Sequence, residues 1–346
     1  MTKKKLALYV VLGALTILIG ICISIYITAF TANTKFDQDE IYIYIPTGSN
    51  YDQVKELVGP FVADWDKFNA VAERRNYTEH VRPGKFLFKK GMSSFQLVAS
   101  LRHNVPVRLS FNNQERLEDL CVRLSAQMEP DTTQFLTVFR DSIFLKDNGF
   151  TKENVFSMLL PNTYEVYWNT TAEKFRSTML DEYKKFWNPT RRSQCEKLGM
   201  SPIDVTILAS IVHKETVKKS ERPIVAGVYL NRLRTEMPLQ ADPTVIYALK
   251  KQTNHFDQII KRVLLKDLYT ASLYNTYLHA GLPPGPIAMP DVDAIDAVLS
   301  PAEHDYLYFC ASVTRFGYHE FASDMTQHEA NRKKYVTWLN AQGTLR

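Results

Sequence analysis

An uncharged apolar segment near the N-terminus constrains this chain more than any other feature. Leu6–Phe30 has no charged side chain, and a helix of that length, rising about 1.5 Å per residue, can cross a bilayer. A cleaved signal peptide would have a shorter apolar run and a small-residue cleavage site, for which Ile27–Ala29 is a poor match. Lys3–Lys5 precede the segment, so the positive-inside rule predicts a cytoplasmic N-terminus. We therefore predict one uncleaved transmembrane anchor, with the rest of the chain outside the cytoplasm.

The charge and cysteine content of the sequence exclude several classes of function. The chain has 42 basic and 37 acidic residues, and three of the basic residues belong to the flank of the anchor. The remainder is almost neutral, which predicts no nucleic-acid partner. The four cysteines are far apart and form no CxxC pair: Cys22, Cys121, Cys195 and Cys310. We therefore expect no metal site, no disulfide framework and no cofactor.

Residues 35–104 have the pattern of a small β/α module. Apolar runs predict strands over Ile41–Pro46 and Lys85–Phe88. Helices are predicted over Tyr51–Val58, Asp64–Arg75 and Phe95–Arg102. This order resembles the LysM carbohydrate-binding module, which would imply sugar binding. A spacer domain without a ligand would have the same pattern.

Residues 105–200 are predicted to form an αβ connector. A strand is expected over Val107–Phe111, followed by helices near Gln114–Gln127, Thr132–Arg140 and Ala172–Phe186. Leu160–Glu165 is predicted to be a loop because it contains proline and asparagine.

The strongest helix start signal in the chain lies at Ser201, and the helix that follows carries the candidate acid Glu215. Ser201 has the properties of an N-cap and is followed by proline, and the helix is predicted to continue to about Lys219. Glu215 falls on the same stripe as the apolar residues Leu208, Ile211 and Val212. It is either a buried acid paired with an arginine such as Arg222 or Arg232, or a general acid whose pKa is raised by desolvation.

A second acid and a rigid loop follow this helix. Asp242 and Pro243 have the pattern of an N-cap and first position of a helix through Leu249, so Asp242 could simply cap that helix. The glycines and prolines of Gly281–Ile287 predict a stiff wall that would suit a groove. Aromatic rings such as those in Tyr274–Tyr277 can pack on sugar faces, although they could equally be packing residues.

Together these segments resemble the MltG/YceG family of endolytic murein transglycosylases. The matching segments are Leu160–Tyr164, Ile211–Thr216, Ser220–Arg222, Val228–Leu233, Leu239–Val245, Tyr274–Tyr277, Gly281–Ile287 and Tyr318–Phe321 with His328 and Asn331. The resemblance implies that Glu215 is the catalytic acid. It further implies a set of substrate-binding residues: Gln240, Asp242, Asn275, Tyr277, Glu221 and Asn231. Two positions depart from the family pattern, since His213 and Asn162 stand where the family often has acids.

The resemblance also implies a reaction. Glu215 would protonate the glycosidic oxygen between N-acetylmuramic acid and N-acetylglucosamine and then deprotonate the muramic C6 hydroxyl, giving a 1,6-anhydro end. The predicted role is to terminate glycan elongation at the bacterial cytoplasmic (inner) membrane, with peptidoglycan strands and cell-wall synthases as partners. A lysozyme-like hydrolase with Asp242 or Glu221 as its second carboxylate is one alternative. A non-catalytic, membrane-anchored scaffold that binds the wall is another.

The predicted architecture is α+β and has four parts. Residues 1–34 form a cytoplasmic stub and transmembrane helix, residues 35–104 the LysM-like module, and residues 105–200 the connector. Residues 201–346 form a mainly helical catalytic transglycosylase domain with a small sheet that includes Tyr306–Ala311.

Overall fold

The structure is a computed structural model that describes residues 3–341. The first two residues of the predicted stub and residues 342–346 of the predicted catalytic domain lie outside the described residues. The chain divides into two compact units. The first extends to Leu109 and includes Gln127–Pro130 and Tyr164–Thr171, and the second contains the rest. The predicted connector therefore contributes to both units.

The N-terminal helix α1 (Lys3–Phe30) contains the predicted anchor. It is long and apolar enough to cross a membrane, and its side chains from residue 4 to residue 27 are exposed. Exposure of so many apolar side chains to water is unfavourable, as expected for a helix that lies in a membrane.

The module of the first unit has the predicted order of elements. These are β1 (Glu40–Ile45), α2 (Tyr51–Val58), α3 (Trp65–Arg74), β2 (Gly84–Lys89) and α4 (Ser94–Ser100). Asn50 and Ser93 begin α2 and α4 with capping boxes. Strands β1 and β2 are antiparallel, and Ile43 lies opposite Phe86 over a shared core. The predicted elements are confirmed, while the LysM likeness of the module stays a prediction.

The second unit is mainly helical with small sheets. Strands β3 (Pro106–Phe111) and β4 (Asn162–Tyr167) pair with each other, and the division between the units falls within both. The helices are α5 (Leu117–Ser125), α6 (Thr132–Phe139), α7 (Ser142–Asp147), α8 (Ala172–Phe186), α9 (Pro189–Leu198), α10 (Pro202–Glu215), α11 (Arg222–Arg234), α12 (Asp242–Thr253), α13 (Val292–Leu299) and α14 (Met325–Ala341). Strands β5 (Tyr308–Ala311) and β6 (His319–Ala322) form an antiparallel pair. The α+β prediction is confirmed.

Helix α10 is the centre of this unit. Every residue from Val205 through Val212 is buried, and the helix packs against α9, α11, α12 and α13. A helix that is apolar on all sides belongs in a core. Its start at the Ser201 capping box is confirmed.

Several boundaries differ from the predictions. Helix α10 ends at Glu215 rather than Lys219, because the β-branched Thr216 turns extended and its hydroxyl accepts a bond from the Lys218 amide. The predicted loop over Leu160–Glu165 is wrong for most of its length, since pairing with β3 makes it strand β4. Helices α7 and α9 were not predicted.

Candidate active site

Glu215 is the last residue of the buried helix α10. Its carboxylate is surrounded by protein atoms, yet the residue keeps partial contact with solvent. The end of α10 therefore brings one acid from the core to an accessible edge.

The carboxylate of Glu215 has a neutral hydrogen-bond donor. The hydroxyl of Tyr229 on α11 donates to Glu215 Oε1 over 2.6 Å. The ring of Tyr229 is buried and packs edge-on against Phe309, with 5.9 Å between the ring centroids. Tyr229 was not among the predicted site residues, although it lies in the matching segment Val228–Leu233.

The surroundings of Glu215 favour its protonated form. Burial is the largest effect and raises the pKa of Glu215 from 4.5 to about 7. The hydrogen bond from Tyr229 and the positive charge of Arg232 lower the pKa, while the nearby negative charge of Asp242 raises it. A carboxyl group with a pKa near 7 can both donate and accept a proton at neutral pH.

Neither arginine considered as a partner forms an ion pair with Glu215. Arg232 donates from Nε to the carbonyl of Leu307 over 2.6 Å and from a terminal nitrogen to that of Leu239 over 2.7 Å. Arg222 instead pairs with Asp291 and Asp293. Among residues 3–341 the structure gives Glu215 no ion-pair partner, so the paired-acid interpretation is wrong.

His213 contacts the ion-pair cluster of Arg222, Asp291 and Asp293 rather than Glu215. Its Nδ1 lies 3.3 Å from Asp291 Oδ2 and 3.2 Å from a terminal nitrogen of Arg222. Burial is the main reason that the pKa of His213 is lowered. Residues two positions apart on a helix point in different directions, so His213 and Glu215 lie on different faces of α10.

Asp242 is the first residue of α12, and its carboxylate does not cap the helix. Ala241 is the N-cap, and no side chain caps the helix there. Asp242 Oδ1 accepts a hydrogen bond from the hydroxyl of Tyr277 over 2.7 Å. The prediction of Asp242 as the N-cap is therefore wrong, because the carboxylate turns toward Tyr277 instead.

Asp242 and Tyr277 line a groove of about 1020 Å³. Leu264, Leu265 and Leu268 form part of its apolar wall, and Lys261 adds a cation. The polar and apolar surfaces of such a groove can bind an extended, hydroxyl-rich chain.

Gln240 lies on the loop before Asp242, which two threonines hold in place. Its side chain is exposed and its φ is +49°, while its backbone amide donates to the backbone carbonyl of Thr276. The hydroxyl of Thr276 accepts a hydrogen bond from the backbone amide of Ala241 over 3.0 Å and lies 2.8 Å from the hydroxyl of Thr244, so the loop that carries Tyr277 is joined to this loop and to the first turn of α12.

Three predicted binding residues have their polar groups engaged within the protein. Asn275 is fully buried; its amide nitrogen donates to the carbonyls of Leu268 and Thr270, and its oxygen accepts from the amide of Tyr277. The side chain of Asn231 donates to the carbonyls of His304 and Tyr306. Glu221 is buried and accepts from the backbone amide of His319 over 2.8 Å and contacts its Nδ1 over 3.0 Å.

The structure thus defines a class of protein with one desolvated acid, a second carboxylate nearby and an adjacent groove in a mainly helical unit. The chain belongs to the YceG-like family, whose match covers residues 43–334. The resemblance seen in the sequence is confirmed.

Relatives and one solved structure are consistent with this family. The endolytic murein transglycosylase of Bacillus subtilis is 26% identical over 88% of this chain and 88% of its own length. That of Streptococcus pneumoniae serotype 2 is 27% identical over 86% of this chain, which spans only 58% of that longer relative. The crystal structure of a YceG-like protein from Listeria monocytogenes aligns with 25% identity and a TM-score of 0.54, covering 85% of this chain and 99% of that one.

Proposed function

We propose that this chain is a membrane-anchored lytic transglycosylase that cleaves murein glycan strands internally. The observation that carries the proposal is Glu215, an acid with partial access to solvent, no described ion pair and a pKa of about 7. The names of the relatives supply the substrate, murein.

Glu215 acts in both halves of the proposed reaction. Its protonated carboxyl gives a proton to the oxygen that links N-acetylmuramic acid to N-acetylglucosamine, and the bond from muramic C1 to that oxygen breaks. The resulting carboxylate takes the proton of the muramic C6 hydroxyl, whose oxygen bonds to C1. The products are a 1,6-anhydro end and a free hydroxyl, no water is consumed, and Glu215 regains its proton. The nucleophile belongs to the same sugar, so proximity supplies much of the rate.

Tyr229 is the proposed positioning residue for this acid. Because its hydroxyl occupies Glu215 Oε1, the proton of the neutral carboxyl is directed to Oε2. One oxygen is thus anchored and the other is left for the substrate.

The groove supplies the proposed glycan contacts. Asp242 and Tyr277 line it directly, and the exposed Gln240 lies on the loop that leads into Asp242. Asn275, Asn231 and Glu221 would contribute by fixing the surrounding loops, since their polar groups bond within the protein.

The anchor sets the proposed location. With α1 as a single span and Lys3–Lys5 on the cytoplasmic side, the second unit would face outward from the bacterial cytoplasmic membrane. At that surface the enzyme would meet new glycan strands and their synthases and terminate elongation, and the LysM-like module would hold the strand.

Product mass tests the reaction. The full chain in detergent, incubated with murein strands, should release fragments with 1,6-anhydro ends, and Glu215→Gln should release none above background. The Asp242 carboxylate near Glu215 makes a hydrolase the second candidate. Ends heavier by one water would establish that candidate and contradict the transglycosylase proposal. Binding without turnover by the wild type would instead establish the scaffold alternative.

A further inference from the structure

A second cavity in the same unit is lined by charged and aromatic side chains. Its volume is about 490 Å³. The cations are Arg116, Arg140, Lys152 and Lys251, and the carboxylates in the lining are Glu118 and Glu153. None of these residues belongs to the groove beside Asp242.

Aromatic rings hold two of the cations in the wall of this cavity. The guanidinium of Arg116 lies 4.4 Å from the ring centroid of Phe256, and Lys251 Nζ lies 4.4 Å from that of Tyr274. The ring of Tyr247 packs between them, with its centroid 5.5 Å from Phe256 and 4.7 Å from Tyr274. Such stacking presents cations beside an apolar surface.

The charges in the lining leave cations available for a ligand. Arg140 pairs with Glu118, and Arg116 pairs with Asp119 over 2.8 Å. Lys152 and Lys251 are exposed and have no ion-pair partner in the described part of the chain. Glu153 is the one carboxylate of the lining without an ion pair in the described residues, so the two unpaired lysines leave a surplus of positive charge that suits the cavity to an anion.

The cavity lies within a short reach of the groove, because both use the same two elements. Asp242 begins α12, and Tyr247 and Lys251 follow on that helix, about 7 to 14 Å further along its axis at 1.5 Å per residue. Tyr274 and Tyr277 share one loop. An extended peptide of three or four residues spans about 10 to 14 Å.

Muramic acid in murein carries a short stem peptide on its lactyl group, and this peptide has free carboxylates. We propose that this cavity binds the carboxylates of the stem peptide attached to the glycan in the active-site groove. The inference rests on the proposed function, since the groove must hold the glycan. Lys152 and Lys251 provide the charge, and the ring of Tyr247 provides the surface for the apolar part of the peptide.

The test compares murein strands that carry stem peptides with the same strands after an amidase has removed them. The full chain in detergent is assayed as wild type, as Lys152→Gln/Lys251→Gln, and as Lys146→Gln/Lys184→Gln. The last variant loses the same charge at exposed lysines of α7 and α8 that lie outside the cavity. The wild type should prefer peptide-bearing strands, and the cavity variant should lower the ratio of kcat/KM for the two substrates by about 3- to 10-fold. The control variant should keep the wild-type ratio.

The possible failures are distinguishable. Cleavage of both substrates with equal kcat/KM by the wild type, or an unchanged ratio in the cavity variant, overturns the stem-peptide inference and leaves the proposed function standing. Cleavage of neither substrate by the wild type overturns the proposed function. In that case the binding of a free fluorescent stem tripeptide decides the cavity: weaker binding to the cavity variant than to the control supports a peptide site, and equal binding overturns it.

Discussion

Two ionisable side chains whose charged ends are surrounded by protein atoms lie seven residues apart in this chain, and only one of them forms ion pairs. The guanidinium of Arg222 is matched by the carboxylates of Asp291 and Asp293. Glu215 has only the neutral hydroxyl of Tyr229 against its carboxylate. A balanced charge stays ionised and ties elements together, whereas an unbalanced, desolvated acid keeps its proton to higher pH. The first arrangement stabilises a fold, and the second supplies a proton for chemistry.

Substitution of Glu215, the acid without an ion pair, should change catalysis more than any other substitution considered below. Glu215→Gln keeps the shape of the side chain but removes the proton, so kcat should fall by about 10²- to 10⁴-fold. Cleavage of murein strands at pH 6 measures this.

The stability of the same variant provides its control. The pKa of Glu215 is about 7 in the folded chain and ordinarily 4.5, so the folded state binds more protons between these pH values. Wild type should lose unfolding free energy as pH rises through this window, and Glu215→Gln should lack that loss. A wild-type unfolding free energy that does not fall across this window would contradict the raised pKa of Glu215.

Substitution of the ion-paired Arg222 should change stability rather than catalysis. Arg222→Met leaves two carboxylates without their buried partner and should lower the unfolding free energy by about 2 kcal/mol. This is below the usual cost of breaking a fully buried pair, because both aspartates keep contact with water. Denaturant unfolding in detergent measures the change. Unchanged stability would show that the cluster does not hold α11 to the residues around α13.

Tyr229→Phe removes the hydrogen bond but keeps the ring against Phe309. Without this bond Glu215 is less well oriented, which should raise the activation free energy by about 1.4 kcal/mol and lower kcat about tenfold. Because the hydroxyl lowers the pKa of Glu215, the alkaline limb of the kcat profile should also move to higher pH. If kcat fell but its pH profile did not move, Tyr229 would have only a structural role.

Substitution of Asp242 should change the reaction least. Its negative charge raises the pKa of Glu215, so Asp242→Asn should lower that pKa and move the alkaline limb of kcat to lower pH. The pH profile of strand cleavage measures this. If Asp242 were the second carboxylate of a hydrolase, the same variant would lose its activity at every pH rather than shift its profile.

Local signals predicted much of the fold, while the site depended on distant contacts. The capping box at Ser201 and the apolar stripe placed Glu215 on a core helix, because caps and periodicity act within a few residues. The pairing of β4 with β3 has no local signal, and neither does the hydrogen bond of Asp242 with Tyr277 across 35 residues. Tyr229 was missed for the same reason, since its role follows only from the packing of α11 against α10.

A titration of the Glu215 carboxyl tests most directly whether this side chain is the proton donor. The carboxyl carbon of Glu215 in the full chain, labelled with ¹³C and assigned by its absence in Glu215→Gln, can be titrated by NMR. We expect a midpoint near pH 7. A midpoint near the ordinary value of 4.5 would show that the carboxylate is ionised at neutral pH and cannot be the proton donor.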